Sequence, residues 1–325
     1  ETQEKKPSVV NLRIEPDYDG QRIDNFLMGF LKGVPRSYVY RILRRGEVRV
    51  NKGRIQASYR LRAGDLVRIP PVRMAERNPA DPGQRVLQQI RQAIVFEDDR
   101  LIVLNKPSGL AVHGGSGLNF GLIEAMRALR PEERQLELVH RLDRDTSGCL
   151  LLAKRRSALR ILHQLMRDNA VDKRYLALLA GRWQHSRMEA AAPLKKNTLK
   201  SGERIVRVDA EGKAALTRFR VRQRFSDSTL VEARLMTGRT HQIRVHAAYL
   251  GTPILGDEKY GDSEANRAAR RRGLKRLFLH AESLRFRWPG EEQDLYIEAP
   301  LEAPLRQLLR QLRDSPVAAE PPGSD

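Results

Sequence analysis

At about 150 residues per domain, a chain of 325 residues makes about two domains and can bury a sizeable core, which excludes a mini-protein. Its 60 Lys and Arg against 40 Asp and Glu leave a formal charge of +20, an excess that points to a polyanionic partner, nucleic acid first. No apolar run approaches the ~18 residues of a membrane span, the first residues are charged where a signal peptide would be apolar, and the single cysteine, Cys149, excludes an intrachain disulfide or a Cys-based zinc site, so a soluble cytoplasmic protein without a membrane partner is expected.

Residues 1–19 are polar and aperiodic and are expected to form a flexible arm. From Gln21, apolar residues fall at helical spacing (Ile23, Phe26, Leu27, Phe30, Leu31), and a second set, Val39, Ile42 and Leu43, follows Pro35 and Ser37. Two short helices are predicted, the second capped by Ser37 and stopped at Gly46. Glu47 to Ile55 alternates and turns at Asn51-Lys52-Gly53, and Asp65 to Ile69 alternates again, making residues 20–70 a compact helix–helix–strand unit. Pro70, Pro71, Pro79, Pro82 and Gly83 mark residues 71–88 as a linker.

A larger domain is expected over residues 89–315. Ala93–Phe96 and Leu101–Leu104, around Asp98-Asp99, read as a strand hairpin; Leu136–Val139, Cys149–Ala153, Tyr175–Leu179 and the alternation of Thr217, Phe219 and Val221 with arginines read as further strands. Ala158–Met166 reads as an amphipathic helix capped by Ser157, and Cys149 as a small buried apolar residue. Strands and helices mix without a steady βαβ rhythm, so the expected class is α+β. Residues 316–325, rich in Pro, Ala and acid, are expected to be a disordered tail.

The positive charge is unevenly spread. From Arg36 to Arg73 there are 11 basic and 2 acidic residues, a local +9. Arg36, Arg41, Arg44 and Arg45 lie at spacings that line guanidinium groups along the second helix, and Arg49 follows on the next strand, a set suited to phosphate oxygens. A merely solvated helix face would interleave acids, and only Glu47 and Asp65 are present. Gln21 to Leu27, Tyr40 to Leu43 and Gly46 to Asn51 together resemble the S4 RNA-binding domain over residues 20–70, which places its basic second helix on structured RNA. A second basic cluster, Arg267 to Arg276, suits either a mobile RNA-touching loop or a soluble helix end.

Several common catalytic signatures are absent: no phosphate loop, no Gly-x-Ser-x-Gly elbow, no His-Glu-x-x-His helix. Gly115-Ser116-Gly117-Leu118-Asn119-Phe120 lacks the third glycine of a nucleotide fingerprint, which disfavours a methyltransferase, and His241 and His246 read as structural or RNA-contacting rather than as metal ligands. What stands out is the polar stretch from His140 to Gly148, through Arg141, Asp143, Arg144 and Thr146, set between two apolar strands. A carboxylate between Arg141 and Arg144 is held ionised by nearby cations, as a nucleophile requires, although a structural ion-pair network would also explain the pattern. A second loop, Thr237-Gly238-Arg239-Thr240-His241-Gln242-Ile243-Arg244, offers Thr240 as a helix cap and Arg244 one turn in, positioned to hold a carboxylate.

These two segments, with Asn105 to His113 and Lys173-Arg174-Tyr175-Leu176-Ala177, resemble the RluA family of pseudouridine synthases, over about residues 93–300. The resemblance implies a catalytic domain on a mixed, largely antiparallel sheet, no cofactor or metal, and 23S ribosomal RNA or a large-subunit assembly intermediate as partner to a monomer. It makes Asp143 the nucleophile on a flipped-out uridine, attacking C1′ of the sugar or C6 of the base. Arg141 takes the place the base vacates, Tyr175 stacks on the uracil and helps to remove the C5 proton, and Arg244 pairs with the nucleophile. His140, Thr146, Arg239, His241 and Gln242 are expected to contact RNA. The alternative from another class is a non-catalytic RNA-binding assembly factor that keeps the synthase fold; the two differ on Asp143.

Overall fold

A computed structural model describes residues 8–31, 34–72, 82–114, 120–198 and 204–314. The chain forms two compact units, Glu1–Asp81 and Pro82–Asp325. In the first, β1 (Val10–Arg13) precedes α1 (Ile23–Phe30) and α2 (Arg36–Arg44), followed by β2 (Arg49–Val50), β3 (Gly53–Arg54) and β4 (Leu66–Ile69) in a sheet of order β1-β4-β2-β3. Ile23, Leu27, Val39, Ile42, Val48, Leu61 and Val67 form its core.

Two expectations for this unit need correction. Val10 to Arg13 are a strand, antiparallel to β4 with Val10 opposite Ile69, and Ile14 is buried. The period-two run Val10, Leu12, Ile14 covers the open edge of β4, so only residues 1–7 of the proposed arm remain, outside the described residues. Ser37 is the second residue of α2, whose cap position is Pro35, with its φ near the helical value; the helix does end at Gly46, at φ +69°.

In the second unit the chain runs α3 (Gly83–Gln92), β5 (Ile94–Glu97), β6 (Leu101–Lys106), α4 (Leu122–Leu129), β7 (Glu137–Leu138), β8 (Ser147–Ala153), α5 (Arg156–Arg167) and β9 (Asp172–Ala180). It continues through β10 (Arg187–Ala191), the hairpin β11 (Leu194–Thr198) and β12 (Arg204–Val208), β13 (Leu216–Arg224), β14 (Ser228–Leu235), α6 (Gln242–Tyr249), α7 (Ser263–Arg271), β15 (Leu279–Arg287), β16 (Asp294–Glu298) and α8 (Ala303–Asp314). The main sheet has the order β10-β13-β14-β9-β15-β8-β6-β5, with β16 beside β15 and β7 beside β8. It is mixed: β15 runs parallel to β8 and antiparallel to β9, and the other pairs are antiparallel.

Every residue of β8 is buried, as are Leu101 to Leu104 of β6, which accounts for their unbroken apolar runs. Cys149 lies in this core, and burial pushes its thiol up to about 12. The expected linker gives way to α3 at Gly83, because Val86, Leu87 and Ile90 pack one helical face on the core; residues 73–81 of that linker lie outside the described residues. Ser157 is not a cap either, since α5 begins at Arg156. The Arg267–Arg276 cluster is largely the end of α7, capped by Asp262, and ion pairs join Arg270 to Glu258, Arg272 to Asp227 and Arg276 to Glu302. The tail proposed for 316–325 and residues Gly115–Asn119 of the nucleotide-like loop lie outside the described residues. Among the described residues no helix is long and apolar enough to cross a membrane.

Candidate active site

The stretch from His140 to Thr146 links β7 to β8, and each of its residue types has a local cause. His140 Nε2 accepts the Leu151 amide at 3.1 Å, which ties the loop to β8. Leu142 is buried and turns the loop inward. At the far end, Gly148 has φ +108°, and a Cβ there would lie 2.2 Å from the carbonyl oxygen of Ala281 on β15, so only glycine fits. Ser147 Oγ meets His280 Nδ1 at 2.8 Å and accepts Arg276 Nη2 at 3.0 Å, which pins the start of β8. Beneath the loop lies Lys106, fully buried, its Nζ donating to the carbonyls of Pro107, Leu110 and Arg144 at 2.8 to 2.9 Å. Burial pulls that ammonium down to about 7, while the three acceptors favour its charged form.

Asp143 emerges from this frame with its side chain 21% exposed. Arg244 Nη1 lies 3.7 Å from Oδ2, and His241 Nε2 lies 3.8 Å from Oδ1. Both belong to the first turn of α6 and its cap, where the helix dipole also favours a carboxylate. The cap residue is His241 itself, in the left-handed region at φ 53°, and not Thr240 as the sequence suggested. That conformation costs roughly 1–2 kcal/mol for a residue with a Cβ. It is held by Tyr260, whose hydroxyl meets His241 Nδ1 at 2.8 Å and accepts the Val206 amide at 3.0 Å. The hydroxyl contact at Nδ1 orients the imidazole so that Nε2 faces Asp143. Burial lowers the His241 pKa, so the ring is neutral near pH 7.

Arg244 is held from behind. Its Nε and Nη2 donate to the Asp257 carboxylate at 2.7 and 2.8 Å, and Asp257 also accepts the amides of Lys259 and Tyr260. Burial pushes the Asp257 pKa up, but Arg244 and these amides outweigh it and keep the carboxyl below its usual range. Residues 257–260 thus hold both groups that face Asp143.

A cavity of about 550 Å³ opens over Asp143, walled by Arg141, Thr146, Lys173, Tyr175 and Arg239, among others. Tyr175 is 8% exposed; burial and the Asp143 charge push its phenol well above the ordinary range. It therefore offers a stacking face and a hydroxyl, and a phenolate base there is unfavourable. A second groove, of about 940 Å³, shares Arg141, Asp143, His241 and Arg244 and continues past Arg144, Lys275 and Arg276.

The arrangement corresponds to known proteins. Residues 100–249 match the model of the RNA pseudouridylate synthase family, and residues 21–67 match the S4 domain. The ribosomal large subunit pseudouridine synthase C of Haemophilus influenzae is 57% identical over 310 residues, 95% of this chain and 96% of that protein. The chain belongs to the pseudouridine synthase family. The protein of the same name from Escherichia coli is 56% identical to this synthase over 313 residues, covering 95% of the chain and 98% of the relative. Among solved structures, human RNA pseudouridylate synthase domain containing 4 superposes with a TM-score of 0.59 at 27% identity, over 70% of this synthase and 96% of the human chain.

The synthase brings Asp143, Tyr175, Arg244, Arg141, Thr146, Arg239 and His241 to one cavity. Gln242, expected to touch RNA, also lines this cavity and braces its wall. It is 2% exposed, and its amide accepts Thr237 Oγ1 and the Arg239 amide and donates to the Leu216 carbonyl and Thr217 Oγ1. Thr146 is also 2% exposed and lines the cavity, with a hydroxyl that has no hydrogen-bond partner among the described residues. In the first unit Arg36, Arg41, Arg44, Arg45 and Arg49 are all exposed. Asp65, one of the two acids near them in sequence, is turned inward and accepts Asn51 Nδ2, Tyr59 Oη and the Arg62 amide, which leaves the basic surface less balanced than the sequence implies. Sequence reasoning missed Asp257 and Tyr260. They carry no motif signal of their own, and their roles depend on a turn folded back under α6.

Proposed function

We propose that this synthase isomerises uridines of 23S ribosomal RNA, free or in a large-subunit assembly intermediate, with Asp143 as the nucleophile. The observation that carries the reading is the Asp143 carboxylate, set between Arg244 at 3.7 Å and His241 at 3.8 Å on the floor of a cavity walled by Tyr175. A uridine must leave its stack to reach that floor, at a cost of a few kcal/mol, and exposed Arg141 at the rim is placed to fill the vacated space. The uracil then stacks on Tyr175, and the carboxylate attacks C1′ or C6 while Arg244 restrains it. His241 and Arg239 line the RNA path, His140 holds the loop, and Thr146 meets the bound nucleotide.

Exposed Arg36, Arg41, Arg44, Arg45 and Arg49 of the S4 domain supply phosphate contacts away from the chemistry. The relatives' names supply the substrate class, ribosomal large-subunit RNA. One chain carries every group in this scheme, which suits action as a monomer in the cytoplasm, where ribosomes are assembled.

The deciding experiment maps pseudouridine in 23S ribosomal RNA after incubation with wild-type protein and with Asp143→Asn. The wild type is expected to form it at defined positions and the variant to form none while still binding the RNA. Product from Asp143→Asn would overturn the assignment, and a wild type that binds but never reacts would favour the assembly-factor alternative.

A further inference from the structure

Three lysines of the catalytic unit are largely withdrawn from water, and two of them are satisfied. Lys106 donates to three carbonyls, and Lys154 pairs with Glu97 and Glu133. Lys173 differs: it is 8% exposed, lines the cavity over Asp143, and makes no hydrogen bond or ion pair among the described residues. Its neighbour Asp172 is engaged elsewhere, with Arg174 and Arg234. A desolvated ammonium without a partner is costly, so a site that keeps one is built for a group that arrives with the ligand.

The strand dictates where that group lies. Lys173 and Tyr175 are two residues apart on β9 and point to the same face, about 7 Å apart along the strand. A pyrimidine laid against Tyr175 therefore turns one edge toward Lys173. The edge of uracil carries carbonyl oxygens, and these are the atoms that become negative during the reaction. If C1′–N1 breaks first, its electron pair passes to N1 and is delocalised onto O2 and O4. If Asp143 first adds to C6, the pair displaced from the C5–C6 double bond moves through C5 and C4 onto O4. Either way, C5 finally bonds to C1′ and loses its proton, N1 gains one, and the bond from Asp143 to C1′ or C6 breaks to give back the carboxylate, so the isomerisation balances without a co-reactant.

We propose that Lys173 is a further catalytic residue, whose ammonium donates to a uracil carbonyl oxygen and stabilises the negative charge the base acquires. The proposal rests on the active-site reading given above. It also accounts for the burial of the stem: in a water-poor site the same contact is worth more as the charge develops than in the ground state.

The titratable and charged groups around Lys173 are Tyr175 on the same face of its strand with Asp172 next to it in sequence, His140, Arg141 and Asp143 from the catalytic loop, Arg167 from α5, Arg239 from the second loop, and His241 and Arg244 at α6. Burial lowers the ammonium's own pKa, His140 and His241 titrate below neutrality, and Tyr175 lies above the usual phenol range. Lys106, beneath the loop at about 7, acts alike in all the variants below. An alkaline limb that moves on substitution at position 173 is therefore that of Lys173.

The experiment measures single-turnover pseudouridine formation on transcribed 23S ribosomal RNA for wild type, Lys173→Met, Lys173→Arg and Asp143→Asn, from pH 6 to 10, with RNA affinity and Tm recorded alongside. Lys173→Met, which keeps the stem, should lose about 100-fold in the chemical rate with RNA affinity within about twofold of wild type. Lys173→Arg should recover most of the rate, and its alkaline limb should move upward because guanidinium stays charged. A wild-type rate in Lys173→Met overturns the proposal. So does an equal loss in Met and Arg with the limb unmoved, which marks a structural lysine, or a loss confined to affinity, which marks a phosphate contact. Product from Asp143→Asn would instead overturn the reading of the site on which the proposal rests.

Discussion

Arg244 gives two of its nitrogens to Asp257, Nε at 2.7 Å and Nη2 at 2.8 Å, and has Nη1 3.7 Å from Asp143. One guanidinium thus spans a buried structural carboxylate and the one at the floor of the cavity. The buried carboxylate fixes the plane of the group, so it can restrain Asp143 without collapsing onto it, and the proposed nucleophile keeps room for a substrate atom.

Replacing Asp257 by Asn leaves the shape of this pair but removes its charge. Breaking a buried pair from one side costs about 3–5 kcal/mol, and the released guanidinium is expected to close on Asp143 and compete with the substrate. Urea unfolding should show that loss, and single-turnover kinetics should show a rate at least tenfold lower with RNA binding retained. A variant as active as wild type would mean that Arg244 needs no support.

Tyr260→Phe keeps the ring packed against His241 and removes only the hydroxyl that bonds Nδ1. Nitrogen NMR of His241 should then show a changed balance of its two neutral tautomers, together with a fall in kcat of about tenfold and little change in KM. An unaltered tautomer would sink this account of the hydroxyl.

How much of this could be read from the sequence depended on whether the cause was local. The helices of the S4 domain, the hairpin of β5 and β6, and the polar loop between two apolar strands are each written in a short run of residues. Helix α6 is buried from Gln242 to Ala247 and so shows no amphipathic period; the sequence pattern puts its cap at Thr240, whereas the true cap, His241, is held in an unusual conformation by a residue 19 positions away. Asp257 was invisible for the same reason. Gly148 looked like a motif glycine, but the need for it comes from β15, more than 130 residues later in the chain.

His140 provides a pH test. Burial brings its folded-state pKa down to about 4, from 6.5. Between these values the unfolded chain holds more protons, so stability rises with pH across that window and is lost as the pH falls from about 6.5 toward 4, by up to about 3 kcal/mol. Burial lowers His163, His246 and His280 as well, which gives them the same sign, so the informative quantity is the difference between proteins. His140→Gln, which can still accept the Leu151 amide, should show a flatter curve of Tm against pH. Superimposable curves would contradict the assignment.

Deletion of residues 1–81 removes one compact unit with its own core and leaves the other intact. The truncated protein should unfold cooperatively and bind 23S ribosomal RNA more weakly, with a salt dependence shallower by about one unit for each phosphate that the deleted arginines neutralise. Unchanged affinity and slope would remove the S4 domain from RNA docking.

The position of β15 between β8 and β9 has a consequence for synthesis. Asp143 is translated before the chain's midpoint, yet the loop that carries it is pinned by Arg276 and His280 and packed against Ala281. During synthesis the Asp143 loop therefore lacks the partners that pin it until the segment through Ala281, more than 130 residues further along, has also been made.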